Sequence, residues 1–143
     1  MASIFSKIIS GEIPSFKIYE DENFLAFLDI NPNTIGHTLC IPKKEVDQIF
    51  DLDDKTLSEL IIFSKKIANA IKKAVVCERV GMSVIGLEVP HVHVHLIPIN
   101  NMNDMSFDSK INMTENQFIE TMNKIKSYIS VSYTHLRAHE TVR

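Results

Sequence analysis

The clearest periodic signal in the chain runs from Asp54 to about Val76. Leu57, Leu60, Ile61, Ser64, Ile67, Ala68, Ile71, Ala74 and Val75 recur at the 3.6-residue spacing that gathers them on one face. This predicts a long amphipathic helix, with Asp53 or Asp54 capping its start through a side-chain oxygen. A second helix is predicted from Thr114, with Gln117 three residues on as its capping-box partner and Phe118, Met122 and Ile125 as its apolar side. Ile4–Ile9 is a shorter apolar stretch, fit for one or two helical turns and stopped at Ser10-Gly11. Between these segments the pattern changes to that of strands. Phe16–Glu20 and Asn23–Asp29 form a hairpin through Asp21-Glu22, and His37–Ile41 is a third strand ended by Pro42. Val80–Leu87 and His91–Ile97 are two more, separated by Glu88-Val89-Pro90. Turns are expected at Pro14, Asn31-Pro32-Asn33, Gly36 and Asn100–Asp104. Short connections favour antiparallel neighbours. The fold class is therefore α+β: about five antiparallel strands with two helices covering one sheet face, the longer helix crossing between strands three and four.

Composition narrows the setting. A chain of 143 residues, 45% hydrophobic and 23% charged, is the size of one domain able to bury a sizeable core. With 15 basic against 18 acidic residues it lacks the basic face that broad nucleic-acid binding needs. A small phosphate ligand is still compatible, since a few local donors can hold one phosphate. Cys40 and Cys77 are too few for a disulfide framework and fit core thiols of a reducing compartment. The N-terminus lacks a signal-peptide pattern, and the apolar runs fall far short of the ~20 residues of a membrane span. We expect a soluble, cytoplasmic protein with no membrane partner. The stretch Val131–Thr141 resembles a translated sequencing-library adapter. Residues 1–130 are accordingly assigned to a single domain and 131–143 to a non-native tail, and His135 and His139 receive no functional weight. The alternative is a genuine, polar, frayed end.

The segment His91-Val92-His93-Val94-His95-Leu96-Ile97 alternates strictly. On a strand, His91, His93 and His95 would share one exposed face, while Val92, Val94 and Leu96 pack under the long helix. Three imidazoles in a row sit poorly in a core, because their ring nitrogens need partners. They could be satisfied structural histidines. They could ligate a metal, although three same-face positions along one strand are nearly collinear and converge poorly on one ion. Or one could be a nucleophile toward phosphorus. Imidazole is nucleophilic near neutral pH, and its neighbours can orient it, bond phosphate oxygens and assist the leaving group.

With this motif the chain resembles the histidine-triad (HIT) family. The likeness extends over roughly residues 3–107, through Ile4-Phe5-Ser6-Lys7-Ile8-Ile9, Glu12-Ile13-Pro14, Tyr19-Glu20-Asp21, Leu25–Ile30 and Gly36–Lys44. The resemblance implies a five-stranded antiparallel sheet extended across a homodimer, and a purine nucleotide substrate whose α-phosphate loses a substituent. It implies that His93 is the nucleophile forming a nucleotidyl-histidine, that His95 bonds the phosphate and assists departure, and that His91 fixes the geometry. His37 would lie near the phosphate, Asp29 would hold the ribose hydroxyls, and Phe5, Ile8, Phe27 and Leu39 would wall the base. Cysteine pairs that in relatives join two histidines in a structural zinc site are here Ser3 and Ser6, which are poor zinc ligands. No metal and no cofactor are expected, although His37 and His91 remain. A glycine-glutamine pair of relatives is here Gly86-Leu87, Glu88 replaces a small hydroxyl residue, and Val80 falls near an asparagine position. These departures leave a non-catalytic nucleotide-binding protein, and less favourably a metal-dependent hydrolase, as alternatives to a phosphoramidase-like hydrolase.

Overall fold

The computed structural model describes residues 2–140, with side chains over residues 2–129, so the proposed tail at 131–143 lies outside the described side chains. Strands β1 (Lys17–Glu20), β2 (Phe24–Leu28), β3 (Thr38–Pro42), β4 (Arg79–Ser83) and β5 (Val94–Ile99) form one sheet in the order β1-β2-β3-β5-β4. Every neighbouring pair is antiparallel. Helix α2 (Asp54–Ala74) links β3 to β4, capped by the Asp53 carboxylate at the Thr56 N–H. Helix α3 (Glu115–Glu140) follows β5, and the expected capping box is formed: Thr114 N–H donates to Gln117 Oε1 at 2.8 Å and Gln117 N–H to Thr114 Oγ1 at 3.1 Å. The apolar start of the chain makes a third helix, α1 (Ile4–Ser10). It is capped by Ser3 and closed by Gly11 in the left-handed conformation, φ 88°.

The alternating sheet residues separate two apolar layers. Phe24, Ala26 and Leu28 of β2, Cys40 of β3, and Val94 and Leu96 of β5 pack with Leu60, Ile67 and Ile71 of α2 and with Phe118 and Ile125 of α3. Full burial of each large aliphatic side chain here contributes about 1.5–3 kcal/mol. On the opposite face, Leu25, Phe27, Leu39 and Ile41 meet Phe5 and Ile8 of α1. Helices thus cover both faces, rather than one. Of the two cysteines, both free, Cys40 is in the core and Cys77 is half-buried.

Two strand boundaries differ from expectation. Strand β4 spans Arg79–Ser83 and gives way to a loop well before Leu87. Strand β5 starts at Val94, because the backbone before it is engaged elsewhere: His91 N–H donates to Val89 O at 2.8 Å and Val92 N–H to Val46 O at 2.7 Å. Strand β5 also runs through Pro98. Its pairing with β3 ends at Leu96, so on that side the missing proline N–H interrupts no ladder, while Pro98 stays in register with Val80 of β4.

Candidate functional site

His37 enters the sheet directly after Gly36, whose φ is 96°. A Cβ at Gly36 would lie 2.9 Å from Val75 Cγ2 and 3.1 Å from Pro98 Cγ. Gly36→Ala is expected to lower stability by about 1–3 kcal/mol, measured as a drop in urea midpoint, because it combines a disfavoured backbone angle with a collision against two packed side chains.

The hydrogen bonds around the histidines fix their tautomers. The Asn33 backbone N–H donates to His37 Nδ1 at 2.9 Å, so that nitrogen is unprotonated and the ring proton sits on Nε2. His37 Nε2 lies 3.0 Å from His95 Nδ1 and 3.5 Å from Asp29 Oδ2. With His37 the donor, His95 accepts at Nδ1 and keeps its own proton on Nε2. The other half of the row is set by carbonyls. His93 Nδ1–H donates to His91 O at 2.7 Å, leaving the His93 Nε2 lone pair free. His91 Nε2–H donates to Pro42 O at 2.7 Å, and its Nδ1 accepts the Ser3 hydroxyl at 2.8 Å. His93 and His95 stand side by side with ring centroids 4.9 Å apart, and as uncharged tautomers they offer an acceptor and a donor, respectively, at Nε2.

Charge is disfavoured on His37, His91 and His95 by their surroundings. Burial first, then the neighbouring His95, pushes His37 down to about 3. Burial, then His93, pushes His95 down to about 4. Burial also lowers His91, against the opposing pull of its bond to the Pro42 carbonyl. Asp29 is raised by burial despite accepting the Asn31 N–H at 2.8 Å.

The three triad rings share one side of the sheet, as the alternation implies, but that side is not exposed. His91, His93 and His95 are only 0%, 6% and 8% accessible. The cause is a roof. Phe5 of α1 lies edge-on to His91 and His93, with centroids at 5.8 and 4.9 Å, and Phe107 covers His95 at 4.8 Å. What opens beside them is a cleft of about 690 Å³, within the usual range for a small-molecule site. His93, His95, Asp29, Phe5 and Leu39 line it. Ile8 and Phe27 sit behind the wall in the apolar layer, and His37 and His91 act from behind the two lining histidines. Glu88, Phe107 and Lys110 also line the cleft. Lys110 Nζ donates to Asn33 Oδ1 at 2.8 Å and lies 4.8 Å from the Phe107 ring centre. Nothing in the local sequence marks Phe107 or Lys110, which reach the site from a turn beyond β5. Across from His95 on β4 stands Ser83, whose Oγ is buried with no hydrogen-bond partner among the described residues, while Val80 pairs with Pro98. A second cleft, of about 680 Å³, lies between Val75–Cys77 and α3 and has no histidine in its lining.

Metal chemistry can be tested on the donor atoms. Ser3 and Ser6 do not meet His37, which is on the far side of His95; their partners are His91 and Glu45. That group of two hydroxyls, one carboxylate and one imidazole already bonded at both nitrogens does not fit a zinc ion. Nor do the triad rings share an ion, since His91 and the His93 Nδ1 are committed to protein partners. Among the described residues, one group has donor atoms within 4.8 Å of one another: Asp29, His37 and His95.

A five-stranded antiparallel sheet carrying a row of buried histidines along the wall of a cleft defines an α+β protein built around a histidine-lined cleft. The HIT domain model matches residues 10–102, and the chain belongs to the HIT family. It is 39% identical over 135 residues to an uncharacterized HIT-like protein of Borreliella burgdorferi, covering 88% of this chain and 97% of that one. It is 43% identical over 99 residues to the adenosine 5'-monophosphoramidase HNT1 of Saccharomyces cerevisiae, covering 68% of this chain and 62% of that one. Among solved structures, the Zn-bound histidine triad family protein of Mycobacterium smegmatis superposes with a TM-score of 0.80 at 28% identity, covering 94% of this chain and 98% of that one.

Proposed function

We propose that this protein is a nucleotide hydrolase or nucleotidyl transferase that removes a substituent from the α-phosphate of a purine nucleoside monophosphate conjugate, a phosphoramidate, an acyl-adenylate or a dinucleoside polyphosphate. The observation that carries this is His93 Nε2 on the cleft wall: with Nδ1–H given to the His91 carbonyl, the lone pair of the uncharged tautomer falls on Nε2. In this mechanism His93 Nε2 attacks phosphorus, an N–P bond forms, and the substituent leaves with the electron pair of its bond. The His95 Nε2–H bonds a phosphate oxygen and the departing atom. Water then attacks phosphorus and releases the nucleoside monophosphate from His93. Asp29 holds the ribose hydroxyls, and Phe5 and Leu39, backed by Ile8 and Phe27, hold the base. The chain's likeness to a protein named adenosine 5'-monophosphoramidase supports the phosphoramidate class.

The test is incubation with adenosine phosphoramidate or an acyl-adenylate, followed by mass-spectrometric trapping. A nucleotidyl adduct on His93 is expected; turnover with no adduct there, or turnover abolished by a chelator, would overturn the mechanism. Asp29→Asn is expected to raise KM roughly 10-fold or more with kcat little changed, the worth of one charge-assisted hydrogen bond, as read from initial rates.

One observation favours binding without turnover. Leu87 is 89% exposed at the rim and Glu88 brings a carboxylate into the cleft lining. Tight nucleoside monophosphate binding by wild type with no turnover of any conjugate selects that alternative. We further propose a cytoplasmic homodimer whose sheet continues across the edge of β4, where Met82, Ile85 and Leu87 are exposed, and a native domain over residues 1–130. No helix among the described residues is long and apolar enough to cross a membrane.

A further inference from the structure

A continuous chain of hydrogen bonds runs from the protein surface to the back of His93. At its outer end Glu45 Oε1 accepts the Ser3 N–H at 2.8 Å and the Ser6 hydroxyl at 2.5 Å, which ties the start of α1 to the segment following β3. These two bonds hold the Glu45 carboxyl below its usual range. Ser3 is the hinge of the chain. Its Oγ accepts the Ser6 N–H at 3.0 Å as the helix cap and gives its single proton to His91 Nδ1 at 2.8 Å. His91 is then gripped at both nitrogens, since Nε2–H donates to Pro42 O. The ring has no accessible surface, so both of its partners come from the protein. The same residue's carbonyl takes the proton of His93 Nδ1.

We propose that Ser3, anchored by Glu45, is a positioning residue that sets the tautomer and orientation of His93 through His91. The physical requirement is one of proton accounting. If the His91 ring lost its donor at Nδ1, it would be left with a buried, unsatisfied acceptor. It would relieve this by turning, at the expense of the Pro42 bond, since a proton moved to Nδ1 would find no acceptor there. Turning the ring pulls the His91 backbone against its bonds to Val89 O and, through Val92 N–H, to Val46 O, and so shifts the carbonyl that keeps the His93 proton on Nδ1. A His93 that carries its proton on Nε2 has no lone pair to offer the cleft. This role rests on the nucleophile assigned to His93 above.

The experiment uses the full chain with Ser3→Ala, Ser3→Gly and Ser3→Thr, read by imidazole ¹⁵N shifts of His91 and His93 and by kcat and KM on adenosine phosphoramidate. Glycine is tolerated at a helix cap, so Ser3→Gly removes the hydroxyl while sparing α1. Threonine restores it. Ser3→Ala and Ser3→Gly are expected to lower kcat roughly 10-fold with KM little changed, and to bring up an Nε2–H population at His93, as misorientation of a reacting group does. Ser3→Thr is expected to return both readouts to wild type. Glu45→Gln keeps an acceptor oxygen and is expected to fall between. Wild-type tautomers and kcat in Ser3→Gly would overturn the proposal, and so would a loss that Ser3→Thr fails to rescue. The two assignments fail separately: an active His93→Ala enzyme removes the nucleophile but leaves the ¹⁵N result on Ser3 standing, while a trapped His93 adduct with tautomers indifferent to Ser3 removes only the positioning role.

Discussion

His93→Ala is expected to lower turnover of adenosine phosphoramidate by roughly ten-thousand-fold or more while leaving the circular dichroism spectrum and nucleoside monophosphate binding close to wild type. The size follows from what is left in the cleft. His95 lies beside His93, but its Nδ1 is occupied by the His37 Nε2–H and its own proton sits on Nε2, so it has no lone pair to substitute. His37 and His91 are behind the lining histidines and bonded at both nitrogens. Removal of one ring therefore removes the proposed nucleophile with no replacement, and water would have to attack unaided. Initial-rate kinetics on the purified variant measure it; a variant within ten-fold of wild type would discard the covalent route.

The second large effect is on stability under acid. His37 is held at about 3 and His95 at about 4 in the folded protein, against 6.5 when exposed. Both folded values are depressed, so the unfolded chain takes up protons that the folded one refuses. The stability these rings leave intact is fully present above 6.5 and is lost as the pH falls from there toward the folded values. By about pH 4.5 the loss is on the order of 2–3 kcal/mol per ring. Asp29 works in the opposite sense, since its raised value lets the fold accept a proton early, and this offsets part of the loss. Urea midpoints at about pH 7.5 and 4.5 should show a large drop for wild type and a smaller one for His37→Gln. Equal drops in the two proteins would mean that the buried rings are not what acid attacks.

How far the sequence carried differs between fold and site, for identifiable reasons. The long helix was readable because its apolar face repeats over some twenty residues, and its observed span, Asp54–Ala74, stops just short of the expected Val76. The strands were readable as short alternating runs, but their ends depend on partners distant in the chain. The last strand, expected to stop at Ile97, runs on through Pro98 because its pairing with β3 ends at Leu96 and leaves no ladder there for a proline to break. For the site, strict alternation put the three histidines on one side, and could not say what lies over them. That cover comes from Phe5 and Phe107, on opposite sides of the motif. The tautomers were out of reach for the same reason: they are decided by Ser3, Asn33, His37, Pro42 and the His91 carbonyl, and of these only Pro42 lies within a helix or strand. Of the two histidines that remain from the relatives' zinc pattern, His91 meets Ser3 and His37 does not, because a motif gives no direction across a sheet; Glu45, which also meets Ser3 and Ser6, has no local pattern of its own.

The division of the core into two unequal layers has a consequence for evolution of this site. The face that carries α2 and α3 holds most of the buried apolar surface, whereas the histidine face is closed largely by the seven-residue helix α1. A helix so short cannot hold itself together alone and depends on its cap and its docking. It can therefore loosen, shift or exchange residues while the thicker layer keeps the chain folded. Substitutions in α1 therefore reshape the cleft wall without requiring the fold beneath it to be rebuilt.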